Sequence, residues 1–456
     1  MQKIKVGQSS IFLIMLKKFF AIFNKREFLA IKSSTLNLTR KAISNPAMTV
    51  IKKLQKSGWD GFIVGGAVRD LLLNVKPKDF DIVTNAKPAE VKELFNRARI
   101  IGRRFRIVHV YIGGETIEVS TFRKRNIANE YDRHGRLLRD NVFGNIEDDV
   151  ERRDLTINSL YYDPIAEKVL DYHNGISDLN KREIVIIGNS RKRLIEDPIR
   201  IIRIIRLAAK LNLLIPNNLK KEMKKGGNLL QNVPKARLSD DLLKLFVSGR
   251  SLQGFNYILE MELQDFIFPN LGVCLMEKKK GSKTLTKNGF LYTALKNLDE
   301  RVNRNKKISL SFIFTVLFWE KINERRTDFL NSEISEYVAM QKAVNEVFYD
   351  ISQNFYFQRK HLAGVKELCM LQVRFSKFFG KSPFSLVKHL RFPSALKLFE
   401  LRVKLNEVEM ESVMWWKEFS SSPDNKKACM LSTMKNKAGI YKSGRRRKRK
   451  KKGSIN

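Results

Sequence analysis

Between residues 45 and 192 the spacing of apolar positions changes several times, whereas beyond Arg193 it settles to one period. Asn45 to Lys56 carries apolar residues at helical spacing and predicts an amphipathic helix, followed by a strand over Gly61 to Val64. Further strands are predicted at Phe80 to Thr84, at Arg106 to Ile112 with its alternating RIVHVYI, at Ile117 to Thr121 and at Ile184 to Ile187. A polar loop rich in Arg, Asn, Asp and Gly separates them over Lys124 to Gly135. From Arg193 onward helical periodicity dominates, and Pro234, Pro269 and Pro383 punctuate helix boundaries. The pattern predicts an α+β fold: a mobile leader over 1–45, a small mixed head over 46–192, then helices throughout. Those helices divide into a neck over 193–250 and a body over 251–425, and a basic, disordered tail follows over 426–456.

Composition sharpens this picture. A chain of 456 residues is too long for one ordinary core, and 43% hydrophobic residues exclude wholesale disorder. The formal charge of +40 is that of a surface that attracts polyanions, nucleic acid foremost. A chain rich in Lys, Ile, Asn and Phe is also what nucleotide bias in a genome produces, so both readings of the charge stay open. Eight consecutive basic residues, Arg445 to Lys452, close the tail. Cys274, Cys369 and Cys429 stand far apart, and five scattered histidines offer no zinc spacing, which fits a reducing cytoplasm. The apolar run Ile11 to Phe23 is interrupted by Lys17 and Lys18, too short and too charged to span a bilayer. It reads as a basic amphipathic helix making peripheral membrane contact or as an unstructured leader.

The chemistry concentrates in FIVGGAVRDLLLNVKPKDFD, Phe62 to Asp81. Gly65 and Gly66 fall where a strand turns into a helix, so backbone N–H groups can meet a triphosphate there; a tight structural turn is the competing reading. Arg69 and Asp70, one turn on, supply a phosphate partner and its orienting carboxylate, and Asn74 stands where a glycine suits the turn better. Asp79 and Asp81, two apart on one strand, share a face and repel unless a hard cation such as Mg²⁺ lies between them. Exposed strand or turn carboxylates are the competing reading. For a third carboxylate there are two candidates: Glu118 in IEVST and Asp154 in RRDLTINSL, where DLTINSL also reads as a helix start. Arg152 and Arg153 can clamp phosphates or a primer backbone. In EDPIRIIRIIRLAAKL, Asp197, Arg200 and Arg203 recur every three residues, a face able to read a nucleobase edge, and Asp197-Pro198 is equally a helix start. Ile201, Ile202, Ile204 and Ile205 anchor the other side. Arg103, Arg104 and Arg106 form a basic cluster before a strand, a phosphate contact or a solvated edge.

Taken together, GGAVRD with DFD, IEVSTFR, RRDLTINSL and EDPIRIIR resemble the class II nucleotidyltransferases, the family of CCA-adding tRNA nucleotidyltransferases and bacterial poly(A) polymerases. The resemblance covers about Val50 to Arg250. IIGRRFRIVHV, LLRDNVFGNIEDDVERRD, VMWWKEF around Trp415 and Trp416, and the basic tail extend it towards the poly(A) polymerase branch. The resemblance implies a nucleotidyltransferase head in which Asp79 and Asp81 bind two Mg²⁺ ions and Asp154 is the second motif's acidic residue. It implies that Gly65, Gly66 and Arg69 bind the triphosphate and that Asp197 and Arg200 select the base. The activity implied is template-independent transfer of AMP from ATP to RNA 3′ ends in mRNA processing and decay, by a cytoplasmic monomer in contact with RNA-decay proteins. A CCA-adding enzyme and an inactive RNA-binding protein are the alternatives. Two departures stand out: Asn74 for the usual glycine, and a loop over Lys124 to Gly135 shorter than in many relatives.

Overall fold

The computed structural model describes residues 28–102, 106–124, 142–268, 285, 287–353 and 355–434. The expectations for Ile11 to Phe23, Arg103, Arg104, the loop over 125–135, Cys274 and the basic run Arg445 to Lys452 lie outside those residues. The chain divides into two compact units, one formed by the described part of Met1–Asp197 with Leu213–Leu219, the other by Pro198–Asn212 and the residues from Lys220 onward.

The first unit is built on one mixed sheet. Its strands are β1 (Leu29–Lys32), β2 (Phe62–Val64), β3 (Asp81–Thr84), β4 (Ala98–Ile101), β5 (Ile107–Ile112), β6 (Glu115–Thr121), β7 (Leu160–Asp163) and β8 (Lys168–Asp171), in the order β1-β8-β7-β2-β3-β6-β5-β4. All neighbours are antiparallel except β3 and β6, whose parallel pairing requires the crossover through the segment between them. Gly113 and Gly114 close the β5–β6 hairpin with φ of 57° and 82°, the doubly left-handed turn that matches strand twist and that glycine adopts without strain.

Among the described residues six α-helices accompany the sheet: α1 (Asn45–Lys56), α2 (Gly66–Leu72), α3 (Pro88–Leu94), α4 (Ile146–Arg152), α5 (Gly175–Asn180) and α6 (Ser190–Glu196). In α1 the Ser44 hydroxyl accepts from Ala47 N, and Ala47, Val50, Ile51 and Leu54 form its buried stripe. That stripe joins Ile63, Ile82, Val108, Val110, Ile117 and Val119 in the core on one face of the sheet. Each large side chain so buried contributes roughly 1.5–3 kcal/mol. Strand alternation sends Val64, Val83 and Tyr161 to the opposite face, where they pack with Phe122 and Val150.

Three local expectations are corrected. Residues 29–32, expected in a mobile leader, form β1 paired with β8. Ile184 to Ile187 makes no strand: Leu155–Ile186 and Glu183–Leu214 are isolated bridges, and the isoleucines are ordered by burial rather than by a ladder. DLTINSL is one 3₁₀ turn, Thr156–Asn158, running into β7 instead of starting an α-helix.

Beyond Arg200 the described chain is helical: α7 (Arg200–Leu211), α8 (Asn217–Lys225), α9 (Lys235–Phe246), α10 (Ser251–Glu260), α11 (Gln264–Ile267), α12 (Phe290–Asn303), α13 (Leu310–Leu330), α14 (Glu336–Ser352), α15 (Arg359–Arg374), α16 (Ser382–Val387), α17 (Phe392–Leu401) and α18 (Met410–Ser421). The second unit uses its phenylalanines as mortar. Phe314, Phe318, Phe348, Phe355 and Phe357 contact one another with ring centroids 4.7 to 6.5 Å apart. A second cluster gathers around Trp416, whose indole N–H donates to the Phe375 carbonyl at 3.1 Å. No described helix is long and apolar enough to cross a membrane.

Close backbone approach dictates one glycine in the sheet unit. A Cβ on Gly175 at the start of α5 would lie 2.3 Å from the Thr156 carbonyl oxygen, and backbone cannot yield as a side chain can. Gly175→Ala is therefore expected to destabilise this unit by about 2 kcal/mol or more, lowering its thermal midpoint by several degrees. An unchanged melting curve would show that α5 slides off the turn at no cost.

Candidate active site

A row of register partners crosses the middle of the sheet: Tyr161 on β7, Val64 on β2, Asp81 on β3, Glu118 on β6 and His109 on β5. Partners in register point to one face, so the sheet sets Glu118 beside Asp81. His109 Nε2 lies 3.5 Å from Glu118 Oε1. Asp79 lies just before β3 in irregular chain, exposed like Asp81 itself. Asp81 thus opens the strand rather than sharing it with Asp79. The two remain coupled electrostatically. Protein packed around the Asp81 carboxylate, then the Glu118 and Asp79 charges, push its pKa from an ordinary 3.8 up to about 6, against a lowering by Arg153. The outer surface of Asp81 stays open to water.

The Gly-Gly turn lies next to this row. Gly65 follows β2 with φ +71°, a conformation natural to glycine and strained in an L-residue, and α2 begins at Gly66. Arg69 and Asp70 are both buried, and they engage each other: Arg69 Nε and Nη2 donate to Asp70 Oδ1 at 2.9 and 2.6 Å. Arg69 Nη1 donates to Asn158 Oδ1 at 2.5 Å, and Asn158 Nδ2 reaches Asp154 Oδ1 at 3.4 Å. A chain of polar contacts therefore ties GGAVRD to RRDLTINSL. Asp154 Oδ1 also accepts from Leu155 N at 2.8 Å, so this carboxylate orders its own turn. Asn74 has φ +56°, the left-handed conformation that asparagine tolerates best after glycine, so its departure from the usual residue leaves the turn intact.

Arg152 and Arg153, expected to clamp phosphate, both grip Asp149. Arg152 Nη2 lies 2.6 Å from Asp149 Oδ1, and Arg153 Nη2 lies 2.9 Å from Oδ2. Asp149 is fully buried and also accepts from the Tyr161 hydroxyl at 2.7 Å and from Arg123 N at 3.2 Å. Burial alone raises its pKa, but Arg153, Arg152 and the Tyr161 hydrogen bond hold it below the ordinary carboxylate value. Arg193 on α6 in turn donates to the carbonyls of Arg152 and Arg153.

The arginine face is altered. Asp197 is the C-cap of α6 with φ −147° and ψ 88°, and α7 begins only at Arg200, so Asp197 lies outside the helix that carries Arg200 and Arg203. Within the helical unit Arg203 Nε lies 3.4 Å from Asp241 Oδ2 on α9, and Arg206 Nη2 lies 3.5 Å from Oδ1. Ile201, Ile202, Ile204 and Ile205 are buried on the far side, as the spacing predicts. Sequence reasoning misses Asn158, Asp149, Tyr161 and Asp241. Only Asp149 leaves a trace, standing three and four residues before Arg152 and Arg153 on one helix face.

Comparison with known proteins turns this geometry into a family. Residues 61–185 match the model of the poly A polymerase head domain, residues 212–275 that of the probable RNA and SrmB-binding site of polymerase A, and residues 332–452 that of the polymerase A arginine-rich C-terminus. Poly(A) polymerase I of Salmonella typhi is 37% identical over 413 residues, 87% of each chain. The chain belongs to the bacterial poly(A) polymerase family. Poly(A) polymerase I of Escherichia coli O6:H1 is also 37% identical, over 85% of each chain. A CCA-adding enzyme of Lactobacillus helveticus is 34% identical, over 48% of this chain and 54% of its own. Among solved structures, a tRNA-processing enzyme complex shares the fold with TM-score 0.57 at 21% identity, covering 84% of this chain and 97% of its own. The chain is thus a nucleotidyltransferase with an α+β head and a helical remainder.

Among the described residues no group of three or more His, Cys, Asp or Glu side chains converges as a ready-made metal cage. Mg²⁺ does not require one: it is commonly held by one or two carboxylates plus water and substrate phosphates. Asp79 and Asp81, with mutual repulsion that a cation relieves, fit that donor set. The raised pKa of Asp81 has a thermodynamic consequence. Between pH 3.8 and about 6 the folded chain keeps a proton that the unfolded chain has released, so stability falls as pH rises through that window. Metal-free Asp81→Asn should therefore melt above the wild type at pH 7.5, by on the order of 1 kcal/mol after screening, with the gap closing towards pH 4. Mg²⁺ should raise the wild-type midpoint and leave that of Asp81→Asn unmoved. Equal shifts in both proteins would place the metal elsewhere.

Proposed function

We propose that this enzyme adds AMP from ATP to RNA 3′ ends without a template, the 3′-oxygen attacking the α-phosphorus while pyrophosphate leaves. The observation that carries this reading is the carboxylate row at the start of β3, where Asp81 stands beside Glu118, with Gly65 at the end of the register-paired β2. Asp79 and Asp81 would hold Mg²⁺ ions, and Glu118 or Asp154 supplies the remaining carboxylate. When bound, the metal neutralises charge on the transferring phosphoryl group and makes the attacking hydroxyl a better nucleophile.

The protein's own part is placement. Gly65 and Gly66 leave room for the triphosphate against the backbone, and Arg69 with Asp70 braces that turn through Asn158. Arg152, buttressed by Asp149, presents its partly exposed guanidinium to phosphate. Asp197 and Arg200 select the base, and Arg203, anchored to Asp241, supports that choice. RNA backbone is held by the basic helical unit and tail, so affinity falls steeply with salt. The reading extends to a cytoplasmic monomer that serves mRNA processing and decay, and the match of residues 212–275 to a probable RNA and SrmB-binding site supports a protein contact there.

Asp79→Ala with Asp81→Ala should abolish AMP transfer and leave RNA binding nearly unchanged; residual polymerisation would sink the metal-site assignment. A CCA-adding enzyme is the reading to beat, favoured by the 34% identity over about half the chain. Given a tRNA lacking its CCA end, this chain should build long tails from ATP alone, whereas efficient use of CTP would make it the CCA-adding branch. Retained RNA binding with no incorporation of either nucleotide would leave an inactive binding protein.

A further inference from the structure

The helical unit contains a cavity of about 290 Å³ between α12, the start of α13 and one side of α17. Its volume is near the lower end of small-ligand pockets, roughly 300 Å³, the scale of one nucleoside. Leu298, Phe312 and Leu401 give it an apolar floor. Arg301, Lys307 and Lys397 bring three exposed cations to its lining, and no acidic side chain lines it. Part of this charge is already engaged, since Lys397 Nζ lies 3.0 Å from Glu400 and Arg301 Nη2 donates to the Lys307 carbonyl at 3.2 Å. The Arg301 bond fixes the guanidinium without neutralising it. The residues lie in one compact unit, away from the carboxylate row in sequence, and residues 294–312 fall outside the matched family segments.

We infer that this cavity seats a single nucleotide of the RNA chain upstream of its reacting 3′ end. The base lies on the Phe312 floor, where stacking tolerates any sequence, and Asn297 and Ser394 supply polar atoms to its edge. The cations come from two sides, Arg301 and Lys307 from α12 and the loop after it, and Lys397 from α17. That arrangement suits a phosphodiester entering and leaving the mouth. A free nucleoside triphosphate concentrates its charge at one end and would be better served by cations grouped together. The inference rests on the reading that the chain acts on RNA, and it adds a specific place where the strand is held.

The test uses the full chain, a fluorescently labelled 15-nucleotide single-stranded RNA, and binding measured by anisotropy across a salt series. Ser394→Trp fills the cavity without altering charge and should weaken binding about tenfold with an unchanged salt slope. Lys307→Gln with Lys397→Gln should weaken binding and reduce the slope of log K against log salt by about 1.4, two contacts at roughly 0.7 each. Asn297→Trp, entering from another wall, should repeat the Ser394→Trp result and so guards against local misfolding. AMP addition to a primer of three nucleotides should keep its wild-type kcat in all three variants, which separates this site from the chemistry. Wild-type affinity in both tryptophan variants, with melting curves unchanged, would overturn the inference. So would an effect of the glutamine pair alone, which would mark nonspecific attraction.

Discussion

The sheet unit depends on one buried carboxylate. Asp149 has no exposed surface, and burying an unpaired charge there would cost several kcal/mol. Two guanidiniums, a tyrosine hydroxyl and a backbone N–H converge on it and offset that cost. Such a cluster is stiff, because loss of any partner leaves charge uncompensated in a low-dielectric interior. Its stiffness is passed on. Tyr161 belongs to the strand row that contains Asp81, and the Arg153 guanidinium reaches to within 3.7 Å of where a Cβ on Gly65 would lie. Asp149 thus positions the turn and the carboxylates while touching neither.

The same logic explains why the motif arginines are tethered. A long cationic side chain left free in a polyanion site would lose rotamer entropy with each substrate bound. Arg69 on Asp70, Arg152 on Asp149 and Arg203 beside Asp241 have already lost part of it in the fold. Preorganisation of this kind matters for phosphoryl and nucleotidyl transfer, in which positioning and electrostatics supply nearly all the catalysis. The helical unit meets a different demand. Its aromatic clusters make an apolar interior in which buried rings pack on one another, edge to face and stacked.

What could be read from sequence follows a physical line. The helix α1 matches its expected span Asn45 to Lys56, because an amphipathic period, a Ser cap and Pro46 all act locally. The strand β1 is invisible beforehand: LAIK is mostly exposed and owes its order to β8, far along the chain. Ile184 to Ile187 misleads in the opposite way, since its β-branched residues are buried without a partner strand. The turn from β2 into α2 at Gly65 and Gly66 is legible because its signal is written in adjacent residues. The bond from Arg69 to Asn158 is not, because it joins positions 89 residues apart through side chains whose local surroundings say nothing of each other, whereas the clasp on Asp149 leaves only its spacing of three and four residues to Arg152 and Arg153 as a trace. The helix start expected at Asp197-Pro198 fails for a local reason: the chain uses that aspartate to end α6, and α7 waits two more residues.

The carboxylate row works against the stability of the sheet that carries it. A strand position in the register of Asp81 would normally hold a neutral side chain opposite Glu118, since like charges on paired strands repel. Instead the fold places three acids, Asp79, Asp81 and Glu118, in one electrostatic neighbourhood, and burial together with the Glu118 and Asp79 charges raises the pKa of Asp81 to about 6. That repulsion is borne by the surrounding structure, with Arg153 as the nearest relief. The strain is local because the β2–β3–β6 ladder on either side is apolar and well packed. The concentration of negative charge at this register position is therefore a property of the fold itself, set by strand pairing before any ligand arrives.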